Sequence, residues 1–419
     1  MILRLLKSAE LDTRMLGMVL ALALIWIGFH ILSGGLFLTP RNLWNLSVQS
    51  SSVAIMATGM VLVIVTRNID LSIGSMLGFI GMVMGVIQVD VLPKFLGFEH
   101  PATWIVALGA GLVLGVMLGA FQGALIAYLG IPSFIVTLGG FLVWRGAAWW
   151  VTSGQTAAPL DTTFKLMGGG PEGSIGAAWS WTLGLLGCAA IIALLAHSRG
   201  RRKQFQFPLR PMAAEVFLGV AAALLILGAV AVANAYPWPI GTVRRYAQAN
   251  HIALPDRGLF IAHGFAIPVL IAVAAGIVVT FLATRTRFGR YVYAIGGNPE
   301  AAELAGINTR WVIVKVFMLM GLLAAVSAAI SIARLDAATN SEGTLAELLV
   351  IAAAVIGGTS LSGGTGTIAG AMLGAVLMQS LQSGMVLLGV DTPLQNIVVG
   401  VVLVLAVWLD TIYRRRRVS

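Results

Sequence analysis

Long apolar runs without charged residues recur along the whole chain, and they decide what it can fold into. A helix that crosses a bilayer needs about 20 mainly apolar residues. About ten runs reach that length, and two are shorter. They cover residues 15–37, 53–65 (extended backward by the polar 45–52), 73–89, 104–129, 131–151, 177–196, 212–235, 259–283, 311–333, 345–356, 368–388 and 397–409. Helices satisfy their own backbone polar groups in lipid, so the pattern predicts an all-α, polytopic transmembrane helical bundle of about 12 spans.

Composition agrees with a membrane protein and argues against other classes. The chain is 58% hydrophobic and 10% charged, whereas a soluble domain has roughly 25% charged residues. The net charge of +10 could suit nucleic acid. However, the positive residues lie in short loops beside apolar runs rather than on one folded face, so no nucleic-acid partner is expected. The only cysteine, Cys188, lies inside a predicted span, which excludes disulfides within the chain and Cys-based metal sites.

Lys and Arg residues divide unevenly between alternate segments, and positive loops stay on the cytoplasmic side. With the N-terminus inside, 17 positive residues fall in inner segments and 6 in outer ones. This division predicts an even number of spans and cytoplasmic N- and C-termini. The inner residues are Arg4, Lys7, Arg14, Arg67, Arg199, Arg201, Arg202, Lys203, Arg210, Arg285, Arg287, Arg290, Arg310 and Arg414 to Arg417; the outer ones are Arg41, Lys94, Lys165, Arg244, Arg245 and Arg257.

Motifs for catalysis or nucleotide binding are missing from the sequence. No G-x-x-x-x-G-K-[ST] loop is present to hold ATP phosphates. The stretch GGTGTIAG at 363–370 matches G-x-G-x-x-[GA], but its flanks are predicted spans, so a tight cytoplasmic turn is favoured. The five His residues show no ligand spacing, and no cofactor or metal is expected. His263 falls in a predicted span, where a structural hydrogen bond is favoured over a functional role.

Two stretches resemble one another, IDLSIGSMLGF at 69–79 and TSLSGGTGTIAGAMLGA at 359–375. Each follows an apolar run, breaks at Ser and Gly, and continues into a Met-Leu-Gly sequence. Duplication of half of a transporter would produce such an internal repeat. A chance match of two Gly/Ser-rich stretches is an equal alternative.

Polar uncharged residues enter the predicted spans. They could connect helices by hydrogen bonds, the favoured interpretation for any single residue, or they could line a hydrated route for a neutral polyhydroxylated solute. The candidates for the translocation path are Asn45, Ser47, Gln49, Ser51, Gln122, Thr137, Gln379 and Gln382, together with Asp70 and Ser72 just before the run 73–89.

One polar loop is patterned for a short helix, in GRYVYAIGGNPEAAELAGINTR at 289–310. Asn298 can cap the helix, Pro299 suits its first position, and Glu300 lies at the positive end of the helix dipole. Gly306 supplies the stop. A helix of about two turns over 299–305 is too short to persist alone, so it must dock on its own membrane domain or on a partner.

This loop and four other stretches resemble permease subunits of bacterial monosaccharide importers of the ATP-binding cassette type, the ribose and xylose group. The resemblance covers most of the chain apart from residues 153–258. It rests on RFGRYVYAIGGNPEAAELAGIN at 287–308, NIDLSIGS at 68–75, GIPSFIVTLGG at 130–140, AAVIGGTSLSGGTGTIAGAMLGA at 353–375 and LLGVDTPLQNIVVGVVLVLAVWLD at 387–410.

The resemblance implies a single permease domain over 1–419 in the bacterial inner membrane that carries out no bond chemistry. Two copies would pair as a homodimer, a cytoplasmic ATPase subunit would dock inside, and a periplasmic or extracellular sugar-binding protein would deliver a monosaccharide. The loop 284–310 would be the cytoplasmic coupling loop. Its ATPase-coupling residues would be Gly297, Asn298, Pro299, Glu300, Ala301, Ala302, Ala305 and Gly306, with the small face of Ala301, Ala302 and Ala305 against the ATPase.

The insert 153–258 carries two of the predicted spans. Ribose-type permeases resemble a ten-span core, and twelve spans with this insert is more similar to the xylose permeases, which favours D-xylose over ribose, arabinose or galactose. Two other classes remain as alternatives. A secondary sugar transporter would usually need an ion-binding carboxylate at the midplane, and a membrane-embedded enzyme would need a catalytic constellation. The sequence shows neither.

Overall fold

The computed structural model describes residues 13–252 and 259–418, and these residues are helical apart from turns, loops and three isolated β-bridges. The helices are numbered in chain order. They are α1 Thr13–Leu32, α2 Pro40–Val65, α3 Ile73–Val86, α4 Thr103–Leu129, α5 Ser133–Thr152, α6 Gly176–Gln204, α7 Met212–Asn234, α8 Ile240–Ala249, α9 Ile267–Arg285, α10 Arg287–Gly297, α11 Pro299–Leu304, α12 Thr309–Leu335, α13 Ala346–Ile356, α14 Ile368–Leu387 and α15 Thr392–Val418. Short turns at Ile87–Val91 and Pro93–Leu96 continue α3.

Ten helices in the described residues are long and apolar enough to cross a membrane, which confirms the all-α polytopic class. The other two predicted spans coincide with shorter apolar helical stretches, Ala346–Ile356 and Thr392–Leu405. At about 1.5 Å per residue, the eleven residues of α13 span about 16 Å, roughly half of a hydrocarbon core. The count of 12 spans therefore remains a prediction.

The chain divides into two compact units. Of the described residues, the larger unit comprises Met18–Phe37, Asn45–Gly169 and 267–418, and the smaller comprises 13–17, Leu38–Trp44, 170–252 and 259–266. The smaller unit overlaps most of the insert predicted at 153–258, including its two predicted spans, which correspond to α6 and α7.

In the larger unit, α4 and α12 pack against one another along glycines. A Cβ atom at Gly115 would overlap the backbone of α12 at Gly321, and one at Gly119 would overlap α12 at Phe317. Gly123 approaches the Cα atom of Val314 in the same way. These positions run in opposite directions along the two helices, so small residues allow a close antiparallel contact, the usual basis of helix association in membranes.

Two helices of the larger unit are preceded by irregular segments. Residues 66–72 lead into α3, and residues 336–345 lead into α13. The second segment lies along α3, because Ala338 contacts Gly85, the carbonyl group of Glu342 contacts Gly78 and Gly343 contacts Gly74. The glycines of α3 thus provide the groove in which the backbone of 338–343 lies.

In the smaller unit, aromatic side chains surround His263. The His263 ring stacks on Tyr236 with centroids 4.2 Å apart and lies 4.8 Å from the Trp44 ring. His263 Nδ1 donates to the Tyr236 carbonyl at 3.0 Å. The residue precedes α9, so the prediction that places it inside a span is wrong about the boundary of that helix. Its hydrogen bond agrees with the structural role favoured above.

Candidate functional site

The patterned loop folds as two short helices, α10 and α11. The side chain of Asn298 accepts from Ala301 N at 3.0 Å, and Pro299 occupies the first helical position, as predicted. Helix α11 ends at Leu304, one residue before the predicted end, and Gly306 adopts φ +80° just beyond it. The sequence interpretation missed α10, whose N-cap Thr286 accepts from Gly289 N.

Helix α11 docks on the chain itself through one residue. Ala302 is 4% exposed and belongs to the apolar core of the larger unit, so its side chain is not available to a partner. The predicted small face of Ala301, Ala302 and Ala305 is therefore divided: Ala301 and Ala305 are exposed, and Ala302 is not. The most exposed side chain of the helix is Leu304, at 91%. Glu300, Gly297 and Asn298 are also exposed.

Arg67, which follows the C-terminus of α2, holds the end of α10. Its Nε donates to the Gly296 carbonyl at 3.0 Å and its Nη2 donates to the Gly297 carbonyl at 2.8 Å. On the same side, Tyr293 donates to the Gly366 carbonyl at 2.7 Å, and burial raises the pKa of Tyr293, so the phenol keeps its proton. The loop is thus tied both to the end of α2 and to the segment before α14.

The second stretch of the internal repeat contacts the end of α2 at this point, where Gly364 N donates to the Val65 carbonyl at 3.0 Å. Gly296 lies against both Val65 and Gly364, and a Cβ atom there would overlap the Val65 carbonyl. The loop 284–310, the end of α2 with Arg67 after it, and the residues before α14 therefore form one packed junction.

Four of the predicted path residues form one buried network. Ser72 Oγ donates to Asp70 Oδ1 at 2.6 Å, and Gln122 Nε2 lies 2.8 Å from Ser72 Oγ. Thr137 Oγ1 donates to the Ser133 carbonyl within α5 at 2.8 Å and lies 3.2 Å from the Ile69 carbonyl, beside Asp70. All four residues, Asp70, Ser72, Gln122 and Thr137, are at most 1% exposed. They connect the segment before α3 to α4 and α5, and they present no open polar surface.

The remaining path candidates lie on α2 and α14. Gln379 Nε2 donates to Gln49 Oε1 at 3.3 Å, which joins the two helices. Ser51 donates to the carbonyl of Ser47 within α2 at 2.9 Å. Asn45, Ser47, Gln49 and Gln382 are half-buried, whereas Ser51 is 2% exposed. These residues do not join the network around Ser72.

Arg145 on α5 holds the irregular segment 336–345. Its Nη1 donates to the carbonyl groups of Asn340 and Glu342, both at 2.9 Å. Ser331 on α12 donates to Glu342 Oε1, which turns that carboxylate toward the protein. The sequence interpretation assigned no structure to this segment, which lies between the predicted spans 311–333 and 345–356. The short predicted span at 345–356 indicated that this part of the chain is not an ordinary loop followed by a full span, because twelve helical residues do not cross a bilayer.

Comparisons with known proteins agree with this architecture. Residues 42–407 match the family described as "Branched-chain amino acid transport system / permease component". The Escherichia coli K12 protein named "Xylose transport system permease protein XylH" is 38% identical over 407 residues, 97% of this chain and 94% of that protein. Its Haemophilus influenzae counterpart is 36% identical over 414 residues, 98% of this chain and 99% of that protein. The E. coli "Ribose import permease protein RbsC" is 34% identical over 374 residues, 89% of this chain and 87% of that protein.

No solved structure matches the chain. The long apolar helices are those of a multi-pass membrane protein, and the family match identifies it as a transport subunit. The chain belongs to the family of transport-system permease components whose pattern spans residues 42–407.

Proposed function

We propose that the chain is the membrane permease of an ATP-driven importer for a monosaccharide, with D-xylose as the first substrate to test. The observation that carries the proposal is the identity of 36 to 38% with xylose permeases over nearly the full length of both chains. The family description refers to branched-chain amino acids, but the similarity to xylose and ribose permeases extends over 89 to 98% of this chain.

The subunit transports and does not catalyse a covalent reaction, and ATP hydrolysis belongs to a separate cytoplasmic ATPase. A sugar-binding protein delivers the substrate from outside, and a second copy of the chain completes the pathway in the inner membrane. Both termini are cytoplasmic, as the distribution of Lys and Arg indicates. The segment 336–345 together with α13 makes one crossing, so the even number of spans is kept despite the short helix.

The loop 284–310 transmits the ATPase movement. Helix α11 suits this role because it is capped at both ends and anchored at Ala302, and because it exposes Leu304, Ala301 and Ala305 to a partner. A force on α11 passes to α10 and from there to the end of α2 through Arg67. The route is short and consists of packed backbone and charge-assisted hydrogen bonds.

Reconstitution tests the proposal. The permease, its ATPase and its binding protein are placed in lipid vesicles, and ATP-dependent uptake of radiolabelled D-xylose is measured with unlabelled competitors. We expect D-xylose to compete fully, D-ribose partly, and L-leucine not at all. Vesicles without the ATPase serve as the control and should show no uptake. Uptake that only L-leucine suppresses would contradict a sugar substrate and favour the amino-acid branch of the family.

A further inference from the structure

The segment Thr339–Thr344 is a partly exposed polar stretch, and its position along the neighbouring helices decides what its exposed residues face. It reads TNSEGT, and Ser341 and Thr344 are exposed whereas Asn340 and Glu342 are half-buried. It is irregular rather than helical and is bounded by Asp336 at φ +54° and Leu345 at φ +61°. Its depth in the bundle follows from its contacts with α3.

The N-terminal end of α3 lies well inside the helical bundle. Ser72, immediately before α3, bonds to Gln122 on α4 and lies beside Gly140 on α5. Gln122 and Gly140 are each seven residues from the helix ends Leu129 and Ser133, which a short turn joins. Seven helical residues rise about 10 Å, so α3 begins about 10 Å from that turn.

The polar segment then follows α3 away from the turn. Gly343 contacts Gly74, the Glu342 carbonyl contacts Gly78, and Ala338 contacts Gly85. These eleven residues of α3 rise about 16 Å. The segment 339–343 therefore lies about 10 to 25 Å from the turn, within the thickness of a hydrocarbon core of about 30 Å.

Irregular backbone at this depth is tolerated only where protein or water satisfies it. Protein satisfies the inward side, because Arg145 binds the carbonyl groups of Asn340 and Glu342, and Ala157 exchanges two hydrogen bonds with Ala338. The hydroxyl groups of Thr339 and Ser341 lie on the other side, 3.3 Å apart and exposed. By contrast, α5 exposes Leu142 and Val143, at 67% and 57%, as a lipid-facing helix does.

From these observations we propose that Thr339, Ser341 and Thr344 line the water-filled route and form hydrogen bonds with the hydroxyl groups of the transported solute. Thr344 acts as an acceptor, because its own hydroxyl group donates to the Ser341 carbonyl. The inference rests on the proposed function, since it names the residues that contact its substrate. Hydroxyl groups offer both donors and acceptors, which matches a neutral polyhydroxylated molecule. The carboxylate of Glu342 points away from the exposed side, toward Ser331, and Arg334 also interacts with it electrostatically. The exposed hydroxyl groups therefore contact the solute without a neighbouring carboxylate charge.

Thiol labelling measures whether the segment faces water. Cys188, the only cysteine in the chain, is replaced by Ser. Single cysteines are then introduced as Ser341→Cys and, as a lipid-facing control, Leu142→Cys. A charged, membrane-impermeant methanethiosulfonate is applied to membrane vesicles containing the complete transporter. We expect fast labelling of the S341C variant, none of the L142C variant, and at least fivefold slower labelling of S341C at saturating D-xylose.

Three outcomes would overturn the inference. If S341C is not labelled but forms a disulfide between two copies, a second copy of the chain covers the segment. If S341C is neither labelled nor crosslinked, the segment is buried. If labelling is fast but no transported sugar slows it, the segment faces water without contacting substrate.

Transport kinetics add a second measurement, the KM for uptake, which would not change if these residues had only a structural role. Ser341→Ala and Thr344→Val remove one hydroxyl group each and should raise the KM for uptake about fivefold, the effect of losing one hydrogen bond worth ~1 kcal/mol, with unchanged maximal rate and yield. Thr344→Ser should restore the KM. Thr182→Ala removes an exposed hydroxyl group on α6 and serves as the control. An unchanged KM in both variants contradicts the inference.

The labelling and kinetic results are separable from the identity of the substrate. If the wild-type complex transports a sugar other than D-xylose and that sugar protects S341C, the inference stands and only the xylose assignment fails. If the wild-type complex transports D-xylose and both variants behave as wild type, the proposed function stands and the inference fails.

Discussion

Arg67 and Gly297 are joined by a hydrogen bond of 2.8 Å from Nη2 to the carbonyl oxygen, although they lie 230 positions apart in the sequence. Arg67 is exposed and adopts φ +63°, which directs the guanidinium across the end of α10. Because a carbonyl group at a helix C-terminus carries partial negative charge, a fixed cation there is favourable. The bond connects the end of α2 to the loop 284–310, for which we propose the coupling role.

Replacing Arg67 should therefore weaken coupling without unfolding the permease. We expect Arg67→Ala to lower ATP-dependent uptake about fivefold, since hydrogen bonds from a charged donor contribute roughly 1.5–3 kcal/mol and part of this is lost to solvent screening. Arg67→Lys should give an intermediate result because it keeps the charge but loses the second donor. Arg244→Ala, at an exposed arginine on α8 outside this loop, is the control. Full uptake by R67A would contradict the coupling route.

The exposed and buried positions of α11 separate ATPase contact from folding. Leu304→Asp changes a side chain that is 91% exposed, so the free energy of unfolding should change by less than about 0.5 kcal/mol. Co-purification of the ATPase should nevertheless fall sharply if α11 docks on it. Ala302→Trp should instead reduce the yield of folded permease, because overpacking at a 4% exposed site costs about 1–3 kcal/mol or more. Normal ATPase binding by L304D would argue against α11 as the coupling element.

Local signals explain why α11 was predicted within one residue, although α10 was missed. Asn298, Pro299 and Gly306 act on their immediate neighbours, so the cap, the first turn and the stop of α11 are determined within a few residues. The side of α11 that docks was not predicted, because Ala302 is buried by packing against distant parts of the chain. The three alanines of this helix look equivalent in the sequence, so the sequence alone does not show which of them a tertiary contact will bury.

The segment before α13 could not be predicted for a related reason. Its carbonyl groups are bound by Arg145, which is 195 positions away from Asn340, and its backbone fits a groove made by glycines on α3. A run of polar residues between two apolar runs is normally an external loop. Only the short length of α13 distinguishes a loop that returns into the bundle from one that stays outside.

Arg145 should be required for the stability of this segment. Arg145→Gln removes a charged donor shared by two carbonyl groups, and each carbonyl group left unpaired costs about 1–3 kcal/mol. We expect a clear loss of folded protein on heating in detergent, measured by fluorescence size-exclusion chromatography. Arg145→Lys should lose less, since an ammonium group can still bond one carbonyl. A thermal midpoint for R145Q equal to that of the wild type would show that the segment does not depend on this residue.

The contact between α4 and α12 offers a test of packing with a control on the same helix. Gly119→Leu would drive a side chain into the α12 backbone at Phe317, so the two helices would have to separate. Gly109 on α4 has no atom within 4 Å of an added Cβ atom, and Gly109→Leu should be tolerated. We expect the yield of folded protein to fall severely for G119L only, because close approach in the membrane depends on small residues. Equal loss in both variants would point to a general effect of leucine in this helix.

His263 makes the stability of the smaller unit depend on pH. It is 1% exposed, and burial lowers its pKa below the ordinary value of 6.5, while the hydrogen bond to Tyr236 opposes the shift. The folded state therefore binds fewer protons than the unfolded state once the pH falls below about 6.5, and the free energy of unfolding decreases as the medium becomes more acidic. His263→Gln removes the titrating group, so its thermal midpoint should fall less between about pH 7.5 and pH 5 than that of the wild type, by about 2 °C. His251→Gln, at an exposed position, should behave as the wild type. Equal acid sensitivity in wild type and H263Q would show that other groups account for the pH dependence.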